Sequence, residues 1–268
     1  HVLIYRAFGW EPPAYCHLPM VMGKDGQKLS KRHGATSVRE FRKSGYLPEA
    51  LINYISLLGW SHDDAKELFT LKELEKIFSL DRLNKAPAIF DYKKLQWFNG
   101  IYIRKRSKKN IKELILPYLI EDKVVHNPPT EEEDKIIDGA VPLIQERMRL
   151  LSDAPMLLRF LFFDIESYSL DDIIPKRLDR EKTLTVLKNV RTLLEDFSEH
   201  TDEENERRFR DLAEKMEYKL GDILMPLRVA ITGSRVSPPL FGSIKLLGQE
   251  KMLKRVDTVI SFLAQGKT

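Results

Sequence analysis

The sequence predicts a mainly α-helical protein with a small mixed part at its N-terminal end, followed by helical domains. Three observations carry that expectation. Four Ser/Thr-x-x-Glu boxes stand at the heads of helical patterns: Ser37 with Glu40, Thr70 with Glu73, Thr130 with Glu133 and Thr201 with Glu204. Strand signal is confined to the first third, where residues 18–23 read LPMVMG. From about residue 93 onward, apolar residues recur at helical spacing almost without a break.

The elements follow in order. After LPMVMG, Lys24-Asp25-Gly26 is a turn signal, because glycine can take a positive φ. The stretch KLSKR, residues 28–32, then reads as a loop. The Ser37 box opens a helix that Pro48 ends, and Pro48 starts another in PEALINYISLLGW. The Thr70 box opens a short helix over 70–80. KKLQWFNGIYI and IKELILPYLIED are helical and flank a basic cluster, RKRSKKN, at 104–110. Pro128 and Pro129 break the chain before the Thr130 helix, which is expected to kink at Pro142. A second break falls at 164–176. Helices are expected at 178–198, 202–220, 222–231 and 240–265, with no internal repeat. The domains expected are 1–108, 109–170 and 171–268.

Composition narrows the function. A chain of 268 residues is long enough for two or three small cores. Its single cysteine, Cys16, excludes an intrachain disulfide and a cysteine zinc cluster. With no apolar run of bilayer length, a reducing cytoplasmic location is expected. The net charge of +4 permits a polyanionic partner without demanding one. The chain starts at His1 amid apolar sequence, with no charged region and cleavage site of a signal peptide. A piece of a longer chain is expected.

KLSKR concentrates three cations, Lys28, Lys31 and Arg32, beside a strand end. Such a loop can close over a polyphosphate and neutralise charge as a phosphoanhydride bond breaks. Lysine brings a compact charge on a long stem, arginine a fork, and Ser30 a hydroxyl donor. By residue types alone, a solvated basic turn with no ligand is the plainer reading, and the pentapeptide by itself is a weak signal. The histidines at 17, 33, 62, 126 and 200 lack ligand spacing, so no metal site is expected. Trp10, Trp60 and Trp97 are expected as core anchors. The acidic runs at 131–134 and 202–206 suit helix first turns, where the dipole favours negative charge. RKRSKK at 104–109 reads as a solvated helix end, with contact to a nucleic-acid backbone as the other reading.

The run HLPMVMGKDGQKLSKRHGATSVREFRKSGYLPEALINYISLLGW resembles the second signature region of class I aminoacyl-tRNA synthetases, most closely the glutamyl/glutaminyl branch. Lys28, Ser30, Lys31 and Arg32 occupy the positions of the family's KMSKS loop, with Leu29 for its methionine and Arg32 for its last serine. The resemblance implies a loop that closes over ATP during amino-acid activation. FDYKKLQWFNGIYI is similar to the region joining the catalytic domain to the anticodon end. MPLRVAITGSRVSPPLF and LLGQEKMLKRV resemble the all-helical anticodon-binding domain of the bacterial glutamyl enzymes, whereas glutaminyl relatives carry β-barrels there. The resemblance further implies that Arg228, Ser237, Pro238 and Leu240 read the anticodon, with Ser237 standing for the family threonine. It implies too that Arg147 is the arginine that goes with a requirement for C at the third anticodon base.

The expectation is thus the tRNA-binding C-terminal part of a glutamate-specific synthetase. The intact enzyme would use ATP and Mg2+, with glutamate and its tRNA as substrates, and is expected to be a monomer. The first class signature, HIGH, is absent from these residues. The piece alone is therefore expected to be inactive and to hold no tight cofactor. The alternatives are a non-catalytic helical tRNA-binding module and a glutaminyl enzyme.

Overall fold

The computed structural model describes residues 1–63 and 66–265. The chain divides into two compact units, His1–Tyr102 and Ile103–Thr268.

The first unit begins with α1 (Val2–Ala7) and β1 (Val21–Met22), then α2 (Val38–Lys43), α3 (Pro48–Ser56), α4 (Leu71–Ile77), β2 (Ala88–Ile89) and α5 (Tyr92–Arg104). β1 and β2 pair in parallel, Val21 with Ala88 and Met22 with Ile89. Each expected helix start works as an exchange of hydrogen bonds. The Ser37 hydroxyl accepts from Glu40 N–H, and the Glu40 carboxylate accepts from Ser37 N–H at 2.9 Å. Thr70 and Glu73 do the same for α4. Pro48 sits at the first position of α3, where its missing N–H costs no hydrogen bond.

The core of this unit is aromatic, with Phe41, Tyr46, Tyr54, Phe90 and Phe98 buried. Two buried asparagines tie loops to helices. Asn99 Oδ1 accepts from Leu47 N–H at 2.7 Å. Asn53 Oδ1 accepts from Phe69 N–H at 2.9 Å and from the Tyr102 hydroxyl at 2.7 Å. Buried amides of this kind are tolerated because their partners are in place. Trp60, 3% exposed, anchors a satellite cluster with Phe69 and Leu74.

The other two tryptophans depart from expectation. Trp97 is 50% exposed. It lies two residues on from buried Leu95, roughly 200° around the helix, so it faces away from the Leu95–Phe98 stripe. Trp10 is 61% exposed and stacks on Phe8 with ring centroids 4.9 Å apart. It belongs to a segment, residues 2–20, that buries none of its side chains.

The second unit contains α6 (Lys108–Glu121), α7 (Glu131–Gln145), α8 (Ala154–Phe162), α9 (Leu170–Ile173), α10 (Arg180–Leu193), α11 (Asp202–Lys215), α12 (Leu220–Thr232), α13 (Leu240–Leu247) and α14 (Gln249–Ala264). Among the described residues it holds no strand. The Thr130 and Thr201 boxes cap α7 and α11, and the acidic runs fall in their first turns. Pro142 lies inside α7, which runs on to Gln145. There the Gln145 side chain donates to the carbonyls of Ile103 and Arg106, both in the second unit, at 2.9 and 2.8 Å, satisfying acceptors in the stretch that leads into α6. The basic cluster at 104–109 is exposed and spans the turn from α5 to α6.

The helix expected over 240–265 is two helices. Gly248 between them takes φ +85°, a left-handed value that glycine adopts without a Cβ penalty. The expected helix over 178–198 likewise ends at Leu193, and a single 3-10 turn, Phe197–Glu199, follows. α13 comes close to α7 because each offers a glycine to the other's leucine. A Cβ on Gly139 would lie 2.5 Å from Leu246, and one on Gly242 2.6 Å from Leu143. α10, α12 and α14 form the main bundle around Leu187, Val190, Leu227, Ile231, Val256 and Val259. Arg255, 6% exposed, donates from within it to the carbonyls of Ile231, Phe160 and Phe163, at the ends of α12 and α8.

Candidate functional site

The KLSKR loop is built on a turn. Gly23 N–H donates to Gln27 O at 2.7 Å, and Leu29 N–H donates back to Val21 O at 3.0 Å. Lys28 bridges to Met22, so the chain leaves β1 and returns beside it. Ser30 then caps a single 3-10 turn, Lys31–His33. Lys28, Lys31 and Arg32 are all exposed. The Ser30 hydroxyl is engaged: it lies 3.0 Å from His33 Nδ1 and accepts from Arg32 Nε at 3.3 Å. His33 Nε2 lies 3.0 Å from Asp25 Oδ2, and that bond holds the Asp25 carboxyl below its ordinary range. Nothing in the residue pattern points to this His33 contact, since His33 stands outside any ligand spacing.

Behind the loop, the Tyr92 hydroxyl donates to Ala35 O at 2.8 Å. The Glu40 carboxylate accepts from Thr36 and Ser37 N–H, each at 2.9 Å. These two backbone donors, Thr36 first, lower the Glu40 pKa to about 2. A cavity of 370 Å³ adjoins Asp25 and His33, with the Lys24–Asp91 ion pair (2.9 Å) in its lining. The loop is thus a pre-shaped cationic projection rather than an unstructured one.

The second group of residues lies in the helical unit. Arg228, on α12, is half-buried. One of its terminal nitrogens donates to the Ser237 hydroxyl and to the Pro238 carbonyl at 3.0 Å. Burial, reinforced by the like charge of Arg147, pushes the Arg228 guanidinium below its ordinary value. Arg147 is exposed in the turn after α7. Among the described residues, no Asp or Glu forms an ion pair with either arginine.

Ser237, Pro238 and Leu240 are buried, and the first two seat the Arg228 guanidinium. Leu240 opens α13. Exposed Val236 and the Arg235 side chain, which donates to the Asp171 and Asp172 carbonyls, complete the loop. Neither was singled out by the sequence, because neither fits a pattern until α9 packs beside it. The structure therefore brings Arg147, Arg228, Ser237 and Pro238 together across distant sequence.

Residues 1–97 match the family model described as tRNA synthetases class I (E and Q), catalytic domain, and residues 110–260 match the anticodon binding domain. The second match covers more than half of the chain, and the chain belongs to the family of that anticodon binding domain.

Its similarity to glutamate–tRNA ligases runs the length of the chain. It is 48% identical over 263 residues to the enzyme of Borreliella burgdorferi, covering 98% of this chain and 54% of that protein. It is 45% identical over 280 residues to that of Treponema denticola, covering 97% and 55%. A crystal structure of the glutamate–tRNA ligase from Elizabethkingia meningosepticum superposes with a TM-score of 0.72 at 29% identity, over 98% of this chain and 54% of that one. The chain spans about half the length of the curated relatives it matches. Among the described residues, no helix is long and apolar enough to cross a membrane.

Proposed function

We propose that this chain is the tRNA-binding part of an enzyme that joins glutamate to its tRNA at the expense of ATP. The observation that carries the reading is the Arg147–Arg228 pair. Two like charges stand close together, one of them half-buried, and among the described residues no carboxylate forms an ion pair with either. A protein keeps such a pair where an anion or a base edge completes it. Arg228, pre-oriented by Ser237 and Pro238, presents the rest of its fork to an unstacked base. Arg147 adds the discrimination at the third anticodon position, and buried Pro238 and Leu240 hold the shape. Residues 109–170 and 171–268 then form the two parts of the anticodon-binding region, and 1–108 the end of the catalytic domain and the stem contact.

In the intact enzyme Lys28 and Lys31 stabilise the reacting phosphates of ATP, and Arg32 and Ser30 shape the loop that carries them. Magnesium would accompany the ATP. The chain lacks HIGH and does not form glutamyl-adenylate by itself. The helical second unit favours the glutamyl over the glutaminyl reading.

The test is a binding titration with glutamate tRNA and with the same tRNA carrying an altered anticodon, each at two salt concentrations. Tighter binding to the native anticodon is expected at both. Equal, steeply salt-dependent binding to both tRNAs would mean that only phosphates are held, and would overturn the anticodon assignment.

A further inference from the structure

We propose that His33 is the positioning residue of the KLSKR loop: one imidazole clamps Ser30 on one side and Asp25 on the other, and so sets where Lys31 and Arg32 stand. The inference rests on the phosphate-binding reading of that loop.

Hydrogen bonds set the clamp. His33 Nδ1 lies 3.0 Å from Ser30 N, 3.0 Å from the Ser30 hydroxyl and 3.2 Å from Ser30 O. The other ring nitrogen, Nε2, lies 3.0 Å from Asp25 Oδ2. The Ser30 hydroxyl also accepts from Arg32 Nε at 3.3 Å. The second Asp25 oxygen accepts from Gln27 N–H at 3.0 Å, which ties the far end of the clamp to the Lys24–Gly26 turn. The ring side chain is only 14% exposed and rests on Gly23, where a Cβ would come within 2.8 Å of it. Only glycine at 23 leaves room for the imidazole.

Every bond of this relay lies within residues 23–33, and none belongs to the hydrophobic core. Its work is local: it holds a 3-10 turn whose cations project into solvent. Ser30 is committed to His33, so its hydroxyl reaches a phosphate only after leaving Nδ1. His33 itself need not touch the substrate.

The experiment uses the full-length natural protein with His33→Ala, His33→Asn and Lys31→Ala. Two readouts are taken: glutamate-dependent ATP–pyrophosphate exchange, and the rate of tryptic cleavage after Lys28, Lys31 and Arg32. His33→Ala is expected to lower kcat for exchange by about 10- to 100-fold, the scale of a misplaced catalytic group, with KM for glutamate unchanged. Tryptic cleavage in the loop should accelerate about tenfold while cleavage elsewhere does not, since only local opening is made easier. His33→Asn, whose amide oxygen stands near Nδ1 and still accepts from Ser30 N–H, should recover most of both. Wild-type kcat in His33→Ala, unchanged loop cleavage, or equal losses in the Ala and Asn variants would each overturn the proposal. An inactive wild type, or a Lys31→Ala variant as active as wild type, would instead overturn the phosphate-binding reading. Loop cleavage would still decide whether His33 clamps.

Discussion

The KLSKR loop and the Arg147–Arg228 cluster both gather positive charge, and they are made at different ranges. In the loop, exposed cations are held by Asp25, Ser30 and His33, within nine residues of one another. In the helical unit, Arg228 on α12 meets Arg147 from the turn after α7 and is seated by the chain before α13. Exposed lysines are well hydrated and screened, so their strength lies in where the loop puts them. A half-buried guanidinium is poorly hydrated, so each hydrogen bond it makes counts for more and discriminates better. Short-range order would suit the proposed role of the loop, meeting charge that develops on phosphates, and long-range order the proposed role of Arg228, reading base edges.

The comparison can be broken at several points. The largest effect is expected from Lys31→Ala in the full-length enzyme, with glutamate activation falling by about 10²- to 10³-fold. Affinity for tRNA, measured on the same protein, should stay as in wild type, and a parallel loss of both would show that the two sites are not separate in function. Next comes Arg255→Leu, which leaves three helix-end carbonyls without their buried donor. Urea unfolding of the chain should show a loss of about 3 kcal/mol or more, confined to the helical unit. A loss within experimental error would mean that those carbonyls find water.

Arg228→Ala should weaken tRNA binding by about 1–3 kcal/mol and flatten the preference for the native anticodon, as expected for a base contact. Arg147→Gln should change the preference at the third anticodon base more than the affinity. If affinity falls equally for all anticodons, both arginines hold phosphates. The smallest effect is that of acid on the α2 cap behind the loop. The folded Glu40 pKa is lowered from 4.5 to about 2, so its stabilisation is complete above 4.5 and is lost as pH falls toward 2. Glu40→Gln should remove that part of the acid dependence, seen as a smaller drop in melting temperature between pH 5 and about 2.5. An unchanged acid profile would assign the sensitivity to other carboxylates.

Much of the molecule was legible before folding. The four capping boxes gave the starts of α2, α4, α7 and α11, because a cap is an exchange between residues three apart. LPMVMG gave β1, and the cationic loop was visible as KLSKR, for the same reason of range. Other features were not. Burial of Trp60 but not of Trp10 or Trp97 depends on which faces the fold covers, and residue type alone carries no such information. Gly248 divides the last helical run because the chain must turn there, although its periodicity continues on both sides.

What the sequence by itself determined is therefore the set of helices, their caps and the charge of the loop, all products of neighbours in the chain. The tertiary structure alone decided that buried Ser237 and Pro238 hold Arg228, that Arg147 comes near enough to Arg228 for its like charge to act on it, and that Arg255 serves the ends of two helices. It also decided that His33 faces Ser30 and Asp25 at once, through a turn only a few residues long. The physical reason is common to these cases: desolvation and hydrogen-bond partnership belong to positions in space, and sequence spacing fixes them only where the backbone between the partners is itself regular.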